Sequence, residues 1–141
     1  MRNHIIEVGA SEILQTAICL VHSARKTIRV TMNAAEEIEH PLPHEYFLLL
    51  QKKMDAEVLI QRIGFGAEED FRPIKNRVEI DHAYYEFHHA KSQEYRRMLL
   101  VDDQKLLLAK RDEGSNHYFY TEDEETVEYY KKYFQSCWEE K

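Results

Sequence analysis

Two apolar runs, Met98-Leu99-Leu100-Val101 and Lys105-Leu106-Leu107-Leu108-Ala109, flank the polar break Asp102-Asp103-Gln104. Neither run alternates between apolar and polar residues. A strand of that kind has no side left for water and needs cover on both faces. Asp and Asn side chains bond their own backbone and favour turns, so the break reads as the turn of a two-strand unit. Asp102-Asp103 is not the Asp-Gly of a two-residue hairpin turn, and the loop is expected to hold one more residue.

The remainder of the chain supplies that cover. His4 to Val8 reads as an entering strand or the end of a linker. Gly9-Ala10-Ser11 follows as a turn, with Ser11 as N-cap. Ile13, Leu14, Ala17, Ile18, Val21 and Ala24 keep helical spacing, which predicts a helix over Glu12 to Arg25. Ile28 to Met32, rich in β-branched residues, is a strand. Asn33 to His44 reads as a loop with a short helical stretch from Ala34 to Ile38. His44 to Met54 is a helix with Phe47, Leu50 and Met54 on one face, and Ala56 to Ile63 is a strand.

Gly64-Phe65-Gly66-Ala67 and Glu68-Glu69-Asp70 form an exposed loop, Arg72 to Asn76 turns helically, and Val78 to Ile80 is a third strand. His82 to Glu94 fits strand, loop or short helix. Asp112 to Asn116 is a turn and His117 to Tyr120 an aromatic strand. A capping-box pattern at Thr121 opens a helix to about Glu140, with Val127, Tyr130, Phe134, Cys137 and Trp138 on one side. Helices alternating with strands early, and strands clustered late, predict an α/β fold: a mixed β-sheet flanked by helices. No repeat or interdomain linker stands out, so residues 1–141 read as a single domain.

A formal net charge of −7 on 141 residues argues against direct nucleic-acid binding by this chain, which needs clustered Lys and Arg. No apolar window approaches the length of a membrane span and no signal-peptide core opens the chain, so a cytoplasmic location is expected. The two cysteines, Cys19 and Cys137, lie on apolar stripes of predicted helices and read as reduced core thiols.

The hairpin also carries a resemblance. Enzymes of the phospholipase D superfamily carry His-x-Lys-x-x-x-x-Asp on such a strand, followed after six residues by Gly-Ser. With Asp102 as the motif Asp, Tyr95 takes the His position and Arg97 the Lys position, and Ala109-Lys110 replaces Gly-Ser. The hydrophobic spacing resembles that family, but a phenol does not replace the imidazole nucleophile. The resemblance therefore implies a phospholipase-D-like half-domain without the catalytic residues. Ile5-Ile6-Glu7-Val8-Gly9, the helix to Arg25 and Lys26-Thr27-Ile28-Arg29-Val30 are similar to the start of the effector domain of TrmB-type transcriptional regulators. Together the two resemblances imply a non-catalytic regulatory or sensor domain that binds a small ligand or partner protein, as the effector part of a transcriptional regulator. The final helix, with Tyr129, Tyr130, Tyr133, Phe134 and Trp138, carries more aromatic surface than one packed face needs, and part of it is expected to be a homodimer contact.

Six residues are candidates for a ligand site. Arg97 stands where an anion would be held, Tyr95 and Asp102 flank it, and Tyr85, His89 and Lys91 come from the aromatic and histidine-rich segment. Within the aromatic group Tyr84, Tyr85, Phe87, Tyr95 and His117 to Tyr120, tyrosine offers an apolar face with a hydroxyl handle. Two alternatives stand beside this reading. A dimeric phosphodiesterase using His89 and Lys91 has a literal His-x-Lys, but Arg96 occupies its Asp position. The other alternative is a membrane- or peptide-binding module. His82, His88 and His89 lack metal-ligand spacing, and Gly64-Phe65-Gly66 lacks a phosphate-loop pattern, so neither metal nor cofactor is expected.

Overall fold

The computed structural model describes residues 5–90 and 94–139. Seven strands form one sheet: β1 (Ile5–Val8), β2 (Thr27–Asn33), β3 (Leu59–Phe65), β4 (Tyr85–Ala90), β5 (Met98–Val101), β6 (Lys105–Asp112) and β7 (Ser115–Thr121). Their order is β1-β7-β6-β5-β2-β3-β4. β2, β3 and β4 run parallel, β5 lies antiparallel to β2, and the rest of the sheet to β1 is antiparallel. The helices are α1 (Ile13–Ser23), α2 (Ala34–Glu39), α3 (His44–Asp55), α4 (Glu68–Phe71), α5 (Lys75–Val78) and α6 (Glu124–Trp138).

The unbroken apolar hairpin is covered on both sides, as its composition requires. Leu99, Val101 and Leu107 share one core with Val21 of α1 and with Leu50 and Met54 of α3. Met98, Leu100, Leu106 and Leu108 share another with Val127, Tyr130, Phe134 and Cys137 of α6. Period-two side-chain alternation sends neighbours along β5 and β6 into opposite cores. Each such side chain withdrawn from water contributes roughly 1.5–3 kcal/mol.

Three residues, Asp102 to Gln104, connect β5 to β6. Asp102 and Asp103 adopt φ of 54° and 58°, and the Gln104 N–H donates to the Val101 carbonyl at 3.0 Å. Left-handed backbone at two successive positions gives the twist a hairpin needs, and aspartate tolerates it.

Elsewhere the elements depart from local pattern for identifiable reasons. Val78 to Ile80 is not a strand: Val78 closes α5 and is buried in a small core with Met32, Ala34 and Ile74. The third parallel strand is instead β4, whose row of Tyr85, Phe87 and His89 faces one side of the sheet. β3 continues through Gly64 and Phe65 before turning at Gly66, where φ is 126°. A Cβ on Gly64 would stand 2.7 Å from Phe87 and 2.8 Å from Phe71, so this glycine is needed for close approach.

Ser11 lies inside a 3₁₀ turn, Ala10–Glu12, and caps nothing. The N-cap of α6 is Asp123, whose carboxylate accepts from the Thr126 N–H at 3.0 Å, while the Thr121 hydroxyl accepts from the Asp123 N–H. Cys137 is buried, but Cys19 is exposed on the outer side of α1.

Candidate functional site

β2 and β5 are antiparallel neighbours, so the carboxyl end of β2 lies beside the amino end of β5. In α/β sheets, crevices open where the connections from adjacent strands diverge. The Thr31 hydroxyl donates to the Arg96 carbonyl at 2.6 Å and accepts from the Met98 N–H at 3.0 Å. A side chain thus takes over the ladder's work, and Tyr95 to Arg97 is held away from regular pairing. Here a cavity of about 450 Å³ opens, lined by residues of β2, β3, β5, β6, β7 and the three helices on that side.

Tyr95 and Arg97, the residues at the motif His and Lys positions, both line this cavity. The Tyr95 ring packs 5.2 Å from Phe65, and its hydroxyl donates to Glu36 Oε1 at 3.1 Å. Burial, then the neighbouring Glu36 carboxylate, raises the Tyr95 pKa far above the usual phenol range, and the Arg97 charge only partly opposes this. The phenol is therefore a neutral donor at physiological pH. Arg97 is exposed at the mouth, with its guanidinium 5.7 Å from the centre of the Tyr118 ring.

Asp102 is not brought to that cavity. It sits at the far end of β5, where its carboxylate accepts from the backbone N–H groups of Arg25 (3.0 Å), Lys26 (2.7 Å) and Thr27 (3.0 Å). Burial works to raise its pKa, but the bonds from Thr27, Lys26 and Arg25 and the charge of Lys105 outweigh it. Its carboxyl is held below the ordinary value. Asp102 ties the α1–β2 turn to the hairpin; it does not orient Arg97.

The histidine-rich candidates also lie apart from the cavity. The His89 ring packs tilted against Phe71, with centres 4.5 Å apart, and its Nε2 lies 2.8 Å from the Gly66 carbonyl. His88 stacks on Trp138 of α6 at 4.1 Å, on the opposite side of the sheet. Lys91 lies outside the described residues. Tyr85 is buried; its hydroxyl donates to the Val78 carbonyl at 2.5 Å and accepts from Arg62 at 3.3 Å. It therefore touches the site only through Arg62.

Arg62 is one of the residues that pattern reading passed over, together with Glu36, Glu37 and Tyr46. It lines the cavity from β3 while only 3% exposed. Its Nη1 donates to the Arg77 carbonyl at 2.6 Å and to Tyr85, and its guanidinium lies 5.9 Å from the Phe47 ring centre. Glu37, 5% exposed, accepts from the Leu42 N–H at 3.1 Å and from Arg77 at 3.4 Å. Burial raises the Tyr46 pKa; the Arg62 and Arg97 charges oppose it, and Glu37 adds to it. A lone arginine inside the apolar run of β3 was the visible signal for Arg62, since charges are seldom buried without a reason.

The sheet and its helical layers have the fold of a phospholipase-D-like half-domain, as superposition on solved structures shows. The TrmB-type protein TrmBL2, an archaeal chromatin protein whose structure shows a novel mode of DNA binding, superimposes with a TM-score of 0.71 at 15% identity. That match covers 99% of this chain and 53% of TrmBL2, so the chain spans about half the length of that relative. Nuc from Salmonella typhimurium, a phospholipase D family member, matches with a TM-score of 0.69 at 8% identity over 97% of this chain and 93% of its own. NucT from Helicobacter pylori matches at 0.61 and 14% identity over 98% and 96%. No family model and no curated protein matches the sequence.

TrmBL2 corrects one expectation. A protein that carries this fold binds DNA, so a net charge of −7 does not exclude nucleic acid as a direct partner. Net charge is summed over the whole surface, whereas phosphate contact depends on local clusters of Lys and Arg. Among the described residues no helix is long and apolar enough to cross a membrane.

Proposed function

We propose that this chain is a non-catalytic sensor domain of a cytoplasmic regulator, and that the cavity between the β2–β5 crevice and α1, α2 and α3 receives a small ligand. The observation that carries this reading is the placement of Tyr95 and Arg97 together on a cavity of about 450 Å³. Such a volume suits a small molecule. A neutral phenol at the position of the resemblance's nucleophile supports binding over turnover.

TrmBL2, which has this fold over about half its chain, supports DNA as the regulated partner. The domain is proposed to act as a homodimer, in keeping with Tyr129 of α6, which is 54% exposed beside other aromatic residues. Three measurements test the reading. Phosphodiesterase and nuclease assays on generic substrates are expected to show no turnover; turnover lost in His89→Ala overturns it. Gel-shift assays with the full protein are expected to show DNA binding that changes when a cavity ligand is added. Sedimentation is expected to give a dimer that weakens in Tyr129→Glu.

A further inference from the structure

Cavity walls usually pair their own charges, because an uncompensated charge held away from water is costly. This cavity does so for Glu37, which pairs with Arg77, but not for its lining arginines. Among the described residues no carboxylate comes within ion-pair distance of Arg62 or of Arg97. Arg62 is withdrawn from solvent at 3% exposure, and both of its hydrogen bonds leave from Nη1, to two neutral acceptors. Guanidinium offers five N–H donors, and among the described residues no acceptor is bonded to Nε or Nη2 of Arg62, a residue that lines the cavity.

On the α2 wall the situation has the opposite sign. Glu36 is half-buried; among the described residues its Oε1 accepts only from the neutral Tyr95 hydroxyl and no cation pairs with it. Glu37 beside it already has its partner in Arg77. The phenol groups register both walls: Tyr95 feels Glu36 and Arg97, while Tyr46 feels Arg62, Arg97 and Glu37. These charges line one cavity, and no ion pair joins them among the described residues. The same cavity is lined by apolar and ring surfaces, including Val30, Leu99, Leu107 and Tyr118.

Resting on the cavity reading above, we infer that the ligand is a small zwitterion of amino-acid or dipeptide size. Its carboxylate takes the free donors of Arg62 and Arg97, its ammonium takes Glu36, and its side chain lies on the Tyr118 and leucine surface. A neutral polyol satisfies neither charge. A simple anion leaves Glu36 beside a second negative group, which like-charge repulsion disfavours.

The test is calorimetric titration and thermal shift of the full protein with each of the twenty L-α-amino acids and their glycyl dipeptides. Each probe is matched by the acid lacking its amine and by the amine lacking its carboxylate, with neutral sugars and inorganic phosphate as further arms. At least one zwitterion is expected to bind about ten-fold or more tightly than either truncated partner. Glu36→Gln, which keeps an acceptor for Tyr95, is expected to lose that preference over the des-amino acid. Arg62→Lys and Arg97→Gln are expected to lose about ten-fold in affinity for the zwitterion. Should Arg62→Lys fail to fold, the Glu36 and Arg97 variants carry the test.

Equal binding of the des-amino acid, or an unaltered preference in Glu36→Gln, overturns the proposal. Binding of a neutral sugar or phosphate that is blocked by filling the cavity with Ala109→Phe, with every zwitterion silent, overturns it too but leaves the cavity reading intact. Silence in every arm overturns both.

Discussion

The two ends of β5 use polar side chains in opposite ways. At the Asp102 end, one carboxylate is taken up by three consecutive backbone N–H groups, Arg25 to Thr27. Nearby, Asp103 pairs with Arg29 and with Lys131 of α6. At the Arg97 end, two arginines and one glutamate line a cavity with no ion-pair partner among the described residues. Only four residues of apolar strand, Met98–Val101, separate the two. The closed end consumes its polar capacity in holding elements together, whereas the open end leaves capacity for something outside the chain. That difference matters for locating function, because satisfied polar groups stabilise and unsatisfied ones are available.

Substitutions along this short strand sharpen the contrast. Between the two ends, Leu100→Ala removes a fully buried side chain and is expected to cost about 3–5 kcal/mol in urea unfolding. Asp102→Ala strips acceptors from three N–H groups and is expected to cost about 2–3 kcal/mol, while any cavity ligand binds as before. Loss of binding without loss of stability in that variant would erase the contrast.

Acid titration reads the same end. The Asp102 pKa is lowered on folding, so its contribution is complete above the unfolded value of about 3.9 and is lost as pH falls through the folded one. Unfolding midpoints between neutral and strongly acidic pH are therefore expected to fall less steeply in Asp102→Asn than in the parent. At the open end the stability effects shrink. Tyr95→Phe gives up the bond to Glu36 and is expected to cost about 1 kcal/mol. Arg97→Ala is expected to stay within about 0.5 kcal/mol of the parent in stability, since among the described residues its exposed side chain makes no hydrogen bond or ion pair and meets the Tyr118 ring alone. Its effect is to appear in ligand titration. A large stability loss there would show Arg97 to be part of the scaffold.

Much of the scaffold was legible residue by residue. The continuous apolar runs at Met98–Val101 and Leu106–Leu108 demanded two covered faces, and α1, α3 and α6 provide them. The buried stripe of Val127, Tyr130, Phe134 and Cys137 follows from helical spacing alone. Misreadings arose where tertiary contact overrode local pattern. Val78-Glu79-Ile80 alternates like a strand, yet burying Val78 against Met32 and Ile74 is achieved by a short helix. Cys19 lies among apolar neighbours but faces outward, because α1 is covered along one side only. Spacing from Asp102 singles out Tyr95 and Arg97, which share one cavity wall. The partners of Asp102 are 75 to 77 residues away in the chain, so no local pattern shows that its carboxylate points elsewhere.

By itself the sequence determined which residues must leave water, and therefore a mixed sheet with helices on both faces, because periodicity is a local property that a single strand or helix expresses. Only the tertiary structure decided which charges are compensated. Glu36, Arg62 and Arg97 come from a helix, a strand and the segment before β5, far apart in the chain, and no spacing rule records that they meet on one cavity. Coulomb energy depends on distance through space and on the surrounding dielectric, and both exist only after the chain has folded.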